Sequence, residues 1–300
     1  MSRFLALVLL VAAASLHAQK DLSVSASTET SASRYGLEKL PCAAFTWNSE
    51  RNVMYVPISM NGQVYKYQLD TGADEVVLYG KSKHEGWAAK HEGVRIPDVD
   101  FAGSSLPAIV AYRLPEVPDV DLQGTVGLDL LMGKVFVIDF PMQKICLFSR
   151  ADLPDALDTA ADWSKAEVRH GKFFLTAEFD GHPLDGIFYD TGSSPSTLLV
   201  DYPLWQQLTK RNSETGSQTS GDAVSWGKKQ HYIGAPAVGA LKIGARTFRN
   251  PYVDTNTSKP DDFKESDQAQ GLLGNALFMK SIVILDLGSH AQFGVITDPH

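Results

Sequence analysis

Tyr67-Gln68-Leu69-Asp70-Thr71-Gly72-Ala73-Asp74 and Phe188-Tyr189-Asp190-Thr191-Gly192-Ser193 decide the reading of this chain, because they are one motif written twice. Each Asp-Thr-Gly follows an apolar, strand-like run. Downstream of each comes a Gly-x-x-Gly: Gly124-Thr125-Val126-Gly127 in the first half and Gly271-Leu272-Leu273-Gly274 in the second. Asp139 follows Gly124 by fifteen positions, and Asp286 follows Gly271 by the same fifteen. Upstream, Asn61-Gly62 and Asp180-Gly181 stand nine and ten positions before the two aspartates, each between alternating segments, and such dipeptides mark tight hairpins. Two matched halves, each rich in short strands, predict a mainly β, bilobal protein built by internal duplication.

The halves set the organisation. Residues 37–148 form the N-terminal lobe and 163–297 the C-terminal lobe, joined by a solvated linker over 149–162 that holds Pro154 and four aspartates. Between the Asp-Thr-Gly and the Gly-x-x-Gly the halves differ, fifty-four positions against eighty-one. The surplus is assigned to surface loops at Lys210–Lys229 and Thr255–Gln270. Short helices are expected at Leu128–Met132 and Tyr202–Leu208. Residues 1–18 read as a cleavable signal peptide, with Arg3, an apolar Phe4–Leu16 and a cleavage point after Ala18. The apolar stretch is short for a membrane span, so stable membrane insertion is not expected. Residues 19–36 are poor in large apolar side chains and read as a disordered lead-in. A periplasmic or secreted location follows.

Three hundred residues, 44% hydrophobic and 21% charged, are ordinary for a globular chain. With 27 basic residues against 35 acidic ones, net −8, and no basic cluster, nucleic acid is excluded as a partner. Cys42 and Cys146 stand at the entry and in the last strand of the first lobe; a disulfide within that lobe and two buried thiols are both open readings.

Two carboxyl groups in contact resist double ionisation and hold one proton between them. The ionised member can then take a proton from water while the other donates to a carbonyl, which is acid–base chemistry without metal or cofactor. Asp70 and Asp190 are therefore the candidate catalytic pair, and Thr71, Gly72, Ala73, Thr191, Gly192 and Ser193 the loops that shape it. Ser193 could donate to Asp190 where Ala73 has nothing to offer Asp70, which predicts that Asp190 carries the charge and Asp70 the proton.

On these motifs the chain resembles the aspartic peptidases of the retropepsin and pepsin superfamily. Leu69 to Leu78 resembles the retropepsin active-site segment, and Tyr189 to Ser194 the pepsin form. The likeness spans 37–297 and is nearest in kind to bacterial exported retropepsin-like proteins with two aspartic protease repeats. It implies a bilobal pepsin/retropepsin-like acid protease fold and an aspartic-type endopeptidase, a hydrolase acting on a peptide or protein substrate through a water activated by Asp70 and Asp190. The alternative is a non-catalytic peptide-binding module that keeps the cleft. No cofactor and no metal are implied. A monomer is expected, since one chain carries both aspartates, with a dimer forming sites between chains as a further possibility. Retropepsins place an arginine after the second glycine, where it pairs with the aspartate of Asp-Thr-Gly-Ala-Asp. Here Leu128 stands there, so Asp74 and Glu75 are expected to be solvated loop charges. Trp87 and Trp226 are candidate lid residues, with a core or surface tryptophan the favoured reading of each.

His84 and His91, with Glu85 and Glu92, match no common metal spacing and read as loop. Asp139 and Asp286 are expected to serve turns or strand ends.

Overall fold

The computed structural model describes residues 9–10, 35–48, 53–80, 93–114, 122–212, 216–225, 228–266 and 268–297. The chain forms two extended sheets, one of nine strands and one of sixteen, and this mainly β, two-lobed architecture built on repeated halves is the one expected. In the first lobe Val53–Met60 and Gln63–Leu69 pair antiparallel. In the second, Lys172–Phe179 and His182–Tyr189 do the same. Both hairpins turn on two residues of positive φ: 52° and 77° at Asn61 and Gly62, 49° and 80° at Asp180 and Gly181. Asn, Asp and Gly tolerate that region, and a turn of this hand matches the twist of the strands it joins. A register shift between Leu175 and Ala177 accounts for the one extra residue of the second hairpin.

The lobes meet through one continuous sheet. Val135–Asp139 of the first lobe lies antiparallel to Ser281–Asp286 of the second, Val137 opposite Ile284. Both strands are buried on both faces, as their unbroken apolar runs require. One face joins the main core of both lobes; the other covers Tyr35, Leu37 and Leu157. Asp139 and Asp286 cap the turns after these strands, accepting from the N–H of Met142 and of Gly288, each at 3.0 Å. Cys42 and Cys146 face each other across adjacent strands and are bonded, Cα atoms 4.2 Å apart, which closes the question left by their positions.

Two segments differ from their sequence reading. The linker region contains a helical turn, Asp155–Ala160, pinned by the fully buried Leu157. The surplus of the second lobe, read as surface loop, instead builds a hairpin of Thr219–Ser225 against Lys228–Pro236, and the latter strand pairs with Tyr252–Asn256. Its residues are polar because it lies toward the edge of the sheet, where one face meets water. Leu9–Leu10 lies antiparallel to Ser225 and Val224. The short helices fall at Leu128–Leu131 and Tyr202–Thr209. Among the described residues no helix is long and apolar enough to cross a membrane, and no group of three or more His, Cys, Asp or Glu is placed to hold a metal. Trp87, Trp226, His84 and His91 lie outside the described residues.

Candidate functional site

Each aspartate leaves the end of a strand that is flanked on its other side by a short parallel strand. Leu69 pairs with Val126, and the N–H of Asp70 bonds the Val126 carbonyl at 3.0 Å. Tyr189 pairs with Leu273, and the N–H of Asp190 bonds the Leu273 carbonyl at 2.9 Å. The Gly-x-x-Gly segments are these flanking strands. A Cβ on Gly274 would lie 2.0 Å from the Ser193 carbonyl oxygen, so only glycine lets the chain pass beneath the aspartate loop.

The loops interlock. Thr71 Oγ1 donates to the Tyr189 carbonyl at 2.9 Å and accepts from the Thr191 N–H at 3.0 Å, while Thr191 Oγ1 accepts from the Thr71 N–H at 3.0 Å. Each carboxyl sits over the opposite glycine: a Cβ on Gly72 would lie 2.6 Å from Asp190 Cγ, and one on Gly192 would lie 2.5 Å from Asp70 Cγ. Residues 120 positions apart thus fix one another across the lobe axis. Oδ1 of Asp70 accepts from the N–H groups of Gly72 and Ala73, at 2.9 and 3.1 Å; Oδ1 of Asp190 accepts from Gly192 at 2.7 Å. Among the described residues Oδ2 of neither takes a bond from any N–H or hydroxyl, and both side chains are wholly buried.

Burial raises Asp70 well above the usual carboxylate range, and the charge of Asp190 and a hydrogen bond shared with it add to the rise. Burial also raises Asp190, but the shared hydrogen bond and the Gly192 N–H hold it back. Burial and the partner's charge thus favour one proton held within the pair, and the Ser193 hydroxyl, expected to donate to Asp190, does not do so. Ser193 Oγ is buried and makes no hydrogen bond among the described residues.

Asp74 is not a solvated loop charge. Lys172, 1% exposed, opens the first strand of the second lobe's hairpin and puts its ammonium 2.5 Å from Asp74 Oδ1 and 2.7 Å from the Gly72 carbonyl. That buried cation crosses from one lobe to the other and lowers the proton affinity of both Asp70 and Asp190. The second lobe solves the same position differently. After Gly274 stands Asn275, whose Nδ2 donates to the Thr191 carbonyl at 3.1 Å and to Ser194 Oγ at 2.7 Å, and whose Oδ1 accepts from the Tyr189 hydroxyl at 2.6 Å. Sequence reasoning missed both residues. A lone lysine at the head of an aromatic strand and an Asn directly after a repeat glycine were the available signals.

Register defines the walls beside the carboxyls. Side chains two apart on a strand share a face, so Gln68 lies on the face of Asp70 and Phe188 on that of Asp190. Across the first lobe the row runs Tyr55, Gln68, Thr125, Val77, Tyr112. Across the second it runs Phe174, Phe188, Leu272, Leu199, Asp254.

No protein-family model matches the chain, and no curated protein matches it. Among solved structures it is similar to the basic 7S globulin of soybean, at 9% identity and a TM-score of 0.49 over 85% of this chain and 96% of that one. It is likewise similar to conglutin gamma, described as a unique basic 7S globulin from lupine seeds, at 8% identity and 0.49 over 85% and 94%. Identities this low speak for the shape alone. The expectation of an aspartic-type endopeptidase is corrected here, and with it the hydrolase activity and the bacterial, periplasmic setting. The two matched structures are seed globulins, and a shape does not by itself carry hydrolysis. The finer likeness to bacterial retropepsin-like proteins gains nothing from either.

Proposed function

We propose that this chain is an exported peptide-binding protein that holds an extended segment of polypeptide in the cleft at Asp70 and Asp190 without cutting it. What carries the reading is the pair of Oδ2 oxygens, one from each lobe, buried and met by no N–H or hydroxyl of any other residue among the described residues. With one proton between them, Asp70 offers an O–H and Asp190 a carboxylate. A peptide unit answers with one C=O and one N–H. Thr71, Gly72, Thr191 and Gly192 hold the two carboxyls in register, with Ala73 and Ser193 flanking them. Export is supported by the apolar Phe4–Leu16 behind Arg3, with cleavage after Ala18, and by the disulfide, which persists in oxidising compartments. One chain supplies both carboxyls, so the unit is a monomer, which a mass measurement in solution checks.

The test follows binding and cleavage together. Purified protein is mixed with a defined peptide library between pH 3 and 7; bound peptide is read by calorimetry and peptide integrity by mass spectrometry. Retention of intact peptides is expected, weakened at least tenfold by Asp70→Ala, which removes the donor that Asp70→Asn would keep. Fragments that appear with the wild-type chain and vanish with Asp70→Asn would overturn the reading, as would failure to retain any peptide at any pH.

A further inference from the structure

Gln68 is wholly buried, and neither its Oε1 nor its Nε2 finds a hydrogen-bond partner among the described residues. A buried amide left without partners weakens a fold, so a strand position of this kind ordinarily holds an apolar side chain. The second lobe shows that outcome. Phe188 occupies the matching place and packs against Phe174 and Phe263, ring centroids 5.9 and 6.0 Å apart. That wall is filled by its own lobe, Phe263 coming from the helical turn Asp262–Ser266.

The first-lobe wall is polar, and the polar groups nearest Gln68 are engaged. The Tyr79 hydroxyl and Thr125 Oγ1 bond each other at 2.6 Å, and the Tyr55 hydroxyl accepts from Asn48 Nδ2 at 3.0 Å. Tyr67 and Leu69 turn into the main core, which puts Gln68 on the opposite face with Asp70 and with the small cluster of Val53, Tyr55, Tyr79 and Leu122. Gln68 thus holds an acceptor and a donor side by side, enclosed two residues from Asp70, with nothing among the described residues bonded to either.

We infer that the first-lobe wall is a subsite for a carboxamide side chain, the asparagine or glutamine of a bound peptide, read by Gln68 through a paired N–H···O contact. A carboxamide supplies the complementary donor and acceptor side by side in one plane; an ammonium only donates and a carboxylate only accepts, so either leaves one end of Gln68 unmet, and a hydroxyl must serve both ends from a single atom, out of line with each. The inference rests on the peptide-binding reading and adds its selectivity.

Two sets of fluorescein-labelled octapeptides of alanine and leucine test it, one set carrying a single Gln at each position in turn, the other Leu in its place. Anisotropy titrations should show one register in which the wild-type chain prefers the Gln peptide about tenfold over its Leu twin, the scale of one or two buried hydrogen bonds. Gln68→Leu should erase or invert that preference without lowering the melting temperature. In the wild-type protein the Gln68 side-chain NH2 resonance should shift on titration with the preferred peptide, a readout that needs no variant. Equal binding of both sets, a preference that survives Gln68→Leu, or an unmoved resonance overturns the inference and leaves peptide binding standing. Binding of neither set overturns both.

Discussion

Two residues before its aspartate the first lobe carries Gln68 and the second Phe188; after its repeat glycine the first carries Leu128 and the second Asn275; at the head of its hairpin the first carries Val53 and the second Lys172. The backbone around these pairs is common to both lobes, down to the parallel strand that receives each Asp-Thr-Gly. What the two halves share are the parts that must touch each other: Thr71 with Thr191, and each glycine with the opposite carboxyl. What differs are parts that each lobe settles alone, or that one supplies to the other. A duplicated fold is held to symmetry only at its axis, and its walls are free to become a polar one and an aromatic one.

The largest asymmetry in stability should be the staple. Cys42–Cys146 ties together the first lobe across 104 positions, and among the described residues the second lobe has no counterpart. Loop closure on that scale contributes about 4 to 5 kcal/mol. Replacing both cysteines with alanine should remove about that much in urea unfolding. Hydrogen exchange should rise first in the first lobe; a uniform rise through both lobes would show that the two do not differ in this respect.

The rows of side chains end differently as well, Tyr112 in the first lobe and Asp254 in the second. Burial pushes the Asp254 carboxyl from 3.8 up to about 7, with a hydrogen bond from Ser196 opposing the rise. The folded chain therefore holds a proton that the unfolded chain has already released. Stability from this group is fully present below pH ~4 and is lost as pH climbs through about 7. A rise of about three pH units corresponds to something on the order of 4 kcal/mol. Asp254→Asn should abolish that slope, so that wild type falls below the variant as pH rises from 4 to 8. Parallel curves for the two proteins would remove Asp254 from the account.

How much of this was legible follows from what duplication does to a sequence. Asp70, Asp190 and their flanking glycines stand out because each is repeated, and the hairpins are visible because Asn61-Gly62 and Asp180-Gly181 are turn chemistry that few other uses explain. Lys172 could not be read in the same way. Its partner Asp74 is 98 positions away, and its own repeat position holds Val53, so comparing the halves erases it. Asn275 is hidden in the same way, since its counterpart in the other half is the apolar Leu128. The Thr219–Pro236 hairpin is polar along most of its length and looked like loop; its placement near a sheet edge leaves only a few buried positions, such as Ala223 and Ile233, to mark the strand period.

Lys172 also gives the last and most local break in the symmetry. Its ammonium is enclosed, while the Asp74 side chain keeps 27% of its exposure, so water recovers part of any loss on that side. Removing one partner of an enclosed pair costs about 3 to 5 kcal/mol, and Lys172→Met should fall at the lower end, about 3 kcal/mol by urea unfolding. A second readout separates a latch from mere packing. Because the cation holds down the proton affinity of both aspartates, its removal should move the titration of the Asp70 and Asp190 carboxyls, followed by carboxyl carbon NMR, to higher pH. Val53→Met, at the matching place in the other lobe, should leave that titration where it is. If both methionines cost the same and neither shifts the carboxyls, the inter-lobe cation is packing alone, and the two lobes are more nearly equal at their axis than their side chains suggest.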